Sequence, residues 1–295
     1  MMTDRKWSCL TIAVLIALSP TCFAAQTEKA GQADVSAKPL TEDFLVPLTR
    51  QVRADQDAQR KVVEFIQAHL QEQKRVKEDA ARRVAQVNPD SPDADKRSAS
   101  ELQEKEDAKN KQLRASLALC KQTEGTDAGL TSVLLLAALA SHDRPKAQRP
   151  NLTPITNALA TIRQDFPGTW QGQVAPLMQA TLMKQAMAQS GQRKAVNLLS
   201  VVEWLKRNMP SQDEELDLKR PDIDAFRSVY PLQSPLKANY LKSLANTQFQ
   251  IGTPDALDEA TKTCAEVIRL YPDGEHAAWA RRLLDQIAAL RESMK

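Results

Sequence analysis

The chain has 295 residues, a formal net charge of +3, 26% charged residues of mixed sign, 4% aromatics and 8 glycines. Such a composition offers little to β-sheets, which favour β-branched and aromatic side chains, and suits an all-helical protein of one or two domains. The near-balanced charge supplies no basic face for nucleic acid, and so few glycines argue against nucleotide-binding loops.

Residues 1–25 have the three parts of a secretory signal peptide: Arg5 and Lys6, an apolar run over 9–18, and Cys22-Phe23-Ala24 as a small-x-small cleavage site. The apolar run is too short to cross a bilayer. Ser19-Pro20-Thr21 is a poor approach to Cys22 as a lipid attachment site. The expected product is exported, periplasmic or envelope-associated, soluble once cleaved, and without a membrane span. Cys120 and Cys264 then remain. An oxidising compartment permits a bridge between them, but their apolar helical surroundings favour two unpaired core thiols.

Residues 26–42 are small and polar without periodicity and read as a flexible lead-in. Residues 43–122 form a charged region. Val52, Val62, Ile66, His69, Val76, Ala80 and Val87 fall on one helical stripe, interrupted by Asp55, Gln59 and Gln73. A turn at Asn88-Pro89-Asp90-Ser91-Pro92 leads to a second charged helix over 99–120, apolar at its end through Leu113, Leu117 and Leu119. The two helices suggest an antiparallel hairpin. It is either a coiled-coil-like arm for homo-oligomerisation or a solvated pair packed on the rest.

At Thr126 the composition changes, and the apolar stretch over 127–143 predicts a helix buried on most sides. After a basic loop over 144–150, Asn151-Leu152-Thr153 matches a glycosylation sequon, but before Pro154 it reads better as a helix start. The helix that follows stops at Phe166-Pro167. Near the C-terminus one helix ends at Gly252, a second over 254–270 stops at Tyr271-Pro272, and a third carries Ala280, Leu283, Leu284 and Ile287. With the two stops aligned, Ile155, Leu159 and Ile162 match Ala260, Cys264 and Val267, and Ala175 matches Ala280. A degenerate third copy lies between: a helix over 174–189, the breaker Ser190-Gly191, and a helix over 193–208 with Ala195, Leu198, Leu199, Val202 and Leu205 before Met209-Pro210. Residues 211–231, charged and proline-rich, read as an inserted loop with a short helix that interrupts a repeat domain over 126–295. The charged end, 291–295, suits a solvent-facing cap.

The segment from Ala260 through Cys264, Val267 and Tyr271-Pro272 to Ala280 and Leu283-Leu284 resembles the tetratricopeptide repeat. The likeness is to exported bacterial envelope proteins whose second helices close with Tyr-Pro, among them the Tol-Pal-associated tetratricopeptide protein and outer-membrane assembly lipoproteins. It is good over 234–287 and fair over 127–210, whereas Thr247 and Gln248 stand where a Leu-Gly pair is usual. It implies an all-α fold: the charged N-terminal hairpin, then a right-handed solenoid of about three hairpins whose first helices line a concave groove.

Asn239, Ser243, Asn246 and Gln250 recur at i, i+4, i+7 and i+11, opposite Leu241, Leu244 and Ala245. The resemblance places them in that groove, with Thr181 and Lys184 as counterparts on the preceding first helix, where uncharged polar side chains hold an extended peptide or a terminal carboxylate. Trp170, Trp204 and Trp279 read as packing between repeats. His69, His142 and His276 are far apart in sequence, and no HExxH, CxxC, GxSxG or Gly-rich phosphate loop is present. The expectation is therefore a non-enzymatic exported scaffold or adaptor that binds a protein or peptide partner. It has no catalytic residues, metal or cofactor. The alternatives are a solenoid accessory to a peptidoglycan-processing or envelope-assembly enzyme, and a structural oligomer organised by the N-terminal helices.

Overall fold

The computed structural model describes residues 40–41, 43–86, 94–142, 149–190 and 195–294. Ten helices occur among them: α1 (Gln56–Gln86), α2 (Ala94–Gln122), α3 (Asp127–Ala140), α4 (Thr153–Asp165), α5 (Trp170–Gln189), α6 (Ala195–Asn208), α7 (Pro221–Arg227), α8 (Leu236–Ile251), α9 (Pro254–Leu270) and α10 (Glu275–Ser293). The fold is all-α, and an isolated bridge between Arg53 and Thr126 is its one strand-like pairing among the described residues. None of these helices is long and apolar enough to cross a membrane. The expected signal peptide, most of the expected lead-in, the turn expected at 88–92, Gly191 of the Ser190-Gly191 breaker, Val87 and the Ala80 side chain lie outside the described residues.

Local chemistry sets the helix ends. Thr126 and Thr169 cap α3 and α5, each hydroxyl accepting the backbone N–H of a glycine three residues on, Gly129 and Gly172, at 3.1 Å. The stops of α4 and α9 are the same device. Phe166 (φ −128°, ψ 44°) and Tyr271 (φ −131°, ψ 66°) leave the helix, their N–H groups bond back to Ile162 and Val267, and the following proline prevents continuation. The aligned positions are all buried: Ile155, Leu159 and Ile162 in one copy, Ala260, Cys264 and Val267 in the other, with Ala175 and Ala280.

Three expectations shift. α5 begins at Trp170 rather than 174, because the Thr169 cap starts it a turn early and Pro176 is carried inside. α1 begins at Gln56, after Val52, the first residue of the expected stripe, since Asp55 is its cap, accepting from the Ala58 N–H at 2.9 Å, rather than a break in that stripe. The residues before it run extended along the array, with Arg53 N–H donating to the Gly125 carbonyl and Asn151 N–H to that of Leu40. Leu199 is exposed, whereas Leu198, Val202 and Leu205 are buried as expected.

The helices stack as consecutive pairs. Each second helix packs on the next first helix: α2 on α3, α4 on α5, α6 on α8, and α9 on α10. First helices also touch along the stack, α1 with α3, α3 with α5, α5 with α8 and α8 with α10, whereas second helices make no comparable contacts with one another. A stack that is close along one layer and open along the other curves with the close layer inside. The first helices therefore line the inner face. α1 is no free-standing arm: Ala58, Val62 and Ile66 join the main core, and α1 packs more on α3 and α7 than on α2. A second, smaller core joins α8, α9 and α10 through Leu241, Leu257, Ala260, Cys264, Val267, Ala280 and Ile287.

Candidate partner-binding face

The inner face divides into a covered part and an open part. After α6 the chain does not pass straight to α8. Residues 211–235 turn back over the first helices and set α7 against α1 and α3. Ile223 and Phe226 are fully buried there, and Leu216 and Leu232 join the same core. The Phe226 ring lies 5.7 Å from Trp170 of α5 and 5.8 Å from Tyr230. The Asp222 carboxylate, 1% exposed, accepts the Trp170 indole N–H at 3.3 Å and two bonds from Arg220 at 3.0 and 3.1 Å. Those bonds hold the Arg220 guanidinium above its ordinary range, helped by Asp127 nearby. The segment expected to interrupt the array instead fills its inner side.

The six expected groove residues therefore separate. Thr181 is half-buried, its hydroxyl donating to the Leu177 carbonyl of its own helix at 3.0 Å. Lys184, one turn on, is half-buried. Asn239 closes the segment's far end, accepting the Gln233 N–H at 3.0 Å and donating to the Gln233 carbonyl at 2.5 Å. Ser243 and Asn246 are half-exposed and Gln250 is exposed, on the side of α8 away from buried Leu241, Leu244 and Ala245. The structure thus keeps Ser243, Asn246 and Gln250 together on an open surface and commits Thr181 and Asn239 to internal contacts.

Beside that surface Lys242 donates to Gln233 Oε1 at 2.9 Å and sits 5.5 Å from the Trp279 ring centroid on α10. Desolvation lowers its pKa, Glu275 acts in the opposite sense, and the Arg282 charge adds to the lowering. The open part of the face thus carries the Lys242 ammonium, the Glu275 carboxylate, an indole and a row of amide and hydroxyl groups, a set suited to a polar chain. Trp170 and Trp204 do pack between helices: Trp204 donates to the Pro176 carbonyl at 3.0 Å and lies under Arg163 at 4.8 Å.

One constellation has the residue types of acid–base chemistry without its geometry. Glu215 accepts the Ser234 hydroxyl at 2.9 Å, but His276 Nε2 faces the Ser234 backbone carbonyl at 3.2 Å, not the hydroxyl. A base that does not reach the nucleophile's oxygen cannot take its proton in this arrangement. The Tyr271 phenol donates to Asp213 at 2.6 Å, and burial raises its pKa, Asp213 adding to the shift. These bonds tie the 211–235 segment to the last hairpin. Among the described residues no three His, Cys, Asp or Glu side chains are grouped to hold a metal ion.

No family model, curated protein or solved structure matches the chain. The covering segment was the feature that sequence reasoning missed. Its signal was present: Ile223, Phe226 and Tyr230 recur at helical spacing between Pro221 and Pro231, inside a run whose charges dominate its composition.

Proposed function

We propose that this chain is a non-enzymatic scaffold or adaptor of the cell envelope, of tetratricopeptide-repeat type, exported by its N-terminal leader and binding a protein or peptide partner on its inner face. The observation that carries this reading is the contrast along that face. Over α1, α3 and α5 it is filled by residues 211–235, whereas on α8 the row Ser243, Asn246 and Gln250 stays open beside Lys242 and Trp279. A partner chain presenting backbone amides and a carboxylate finds hydrogen-bond partners and positive charge there.

Export predicts a mature N-terminus near Ala25 or Gln26, and N-terminal sequencing that finds Met1 retained, or a lipid on Cys22, contradicts it. The binding reading is tested by affinity capture from envelope extracts with the native chain and with Ser243→Arg and Asn246→Arg variants of unchanged melting temperature. The expected result is a partner retained by the native chain and lost from both variants. A partner retained equally by all three places binding elsewhere.

A further inference from the structure

The covered part of the inner face shows what this molecule accepts against its first helices. The occupant is a short helix with an aspartate at its start and an aromatic four residues later: Asp222 accepts from the Trp170 indole of the face and from Arg220 of its own segment, and Phe226 is buried against Trp170. Yet the array does not need this occupant for continuity, because α6 packs directly on α8 across the insertion. On its approach the segment buries no side chain. Residues 211–215 are exposed and held to the array by polar ties, Tyr271 to Asp213 at 2.6 Å and Leu236 N–H to the Glu214 carbonyl at 3.0 Å, with Ser234 to Glu215 at 2.9 Å inside the segment. A cleft of about 530 Å³ remains between that approach and the Trp170–Gln173 turn of α5. α7 itself has 7 residues, too few to be helical without the surface it rests on.

We infer that the first-helix face over α1, α3 and α5 is a receptor for a short segment with a carboxylate and an aromatic four residues on, and that residues 211–235 are its built-in occupant, displaced by a partner segment of the same pattern. This rests on the reading of the inner face as partner-binding and names the partner chemistry of its covered half. The face then has two states, and the partner competes with a tethered copy of its own motif, which favours partners that bind both the open and the covered parts.

Hydrogen exchange on the native chain tests the occupancy directly. The amides of 222–230 should exchange at least tenfold faster than those of α3 and α5, through an opening that leaves the array folded. Exchange in step with α3 and α5 would overturn the proposal, because the segment would then be permanent core. A labelled synthetic peptide of residues 219–230 should bind a folded Phe226→Ala variant at least tenfold more tightly than the native chain. The same peptide carrying Phe226→Ala should bind neither. Equal binding to both proteins, or none to the folded variant, would also overturn it, and if the variant fails to fold, the exchange rates decide. A dimer formed as the segment opens would make a second copy the occupant and refute a partner peptide. None of these failures touches the α8 surface, which the Ser243 and Asn246 variants test separately.

Discussion

At the scale of single residues, glycine and histidine do work that composition conceals. A Cβ on Gly172 would stand 1.9 Å from the Phe166 carbonyl oxygen, and one on Gly129 2.4 Å from that of Thr123, whereas one on Gly168 would meet nothing within 4 Å. The threonine caps thus need glycine three residues on so that the preceding turn can close over the helix start. Gly172→Ala should cost about 1–3 kcal/mol of stability, and Gly168→Ala less than about 0.5, measured by denaturant unfolding. His69 is 1% exposed on α1, with Gln73 Nε2 at 2.6 Å from its Nε2. Burial, and secondarily the nearby His142, hold its pKa down to about 4 against an ordinary 6.5. The unfolded chain therefore takes up this proton first as the pH falls. The stabilisation is complete above pH 6.5, is lost progressively towards pH 4, and amounts to at most about 3 kcal/mol. His69→Leu should flatten that part of the stability profile relative to the native chain. Cys120 and Cys264 are both buried and unpaired. Burial raises both thiols, that of Cys264 to about 11. Rapid thiol labelling should modify neither until denaturant is added.

Among the elements, those fixed by proline and cap chemistry were the most legible in the sequence. The bounds of α9 and the end of α8 at Gly252, left-handed with φ 73°, follow from residues visible in the string. So does the burial of Ala260 and Ala280, both at 0% exposure where helices of the smaller core meet. Ala280→Leu should lower the unfolding midpoint through overpacking worth about 1–3 kcal/mol, while Asn246→Ala on the open face stays within about 0.5. Thermal melts that reverse that order would place the faces of α8 the wrong way round. Less legible were the segments whose burial depends on distant partners. Phe44, Val46 and Leu48 pack on the core beside an 87%-exposed Leu45, although they precede the helical stripe and lie in a charged region. Ile223 and Phe226 sit among aspartates and arginines, and no local rule says that α1, α3 and α5, all far earlier in the chain, will bury them. Of the candidate groove, the polar row on α8 was readable from its period. Its division into open and covered parts was not, because that depends on where residues 211–235 return.

For the whole molecule, the proposed partner binding rests on the asymmetry of the stack. First helices in contact along one layer make an inner face, the inserted segment closes one end of it, and α8 with α10 leaves the other end open. Site-specific photocrosslinking in the native cells tests this most directly, with the photoreactive side chain placed at Asn246 on the inner face or at Arg269 on α9 in the outer layer. The inner-face reading predicts a discrete partner adduct from position 246 and none from 269. An adduct from 269 alone would put the partner on the second helices and contradict it.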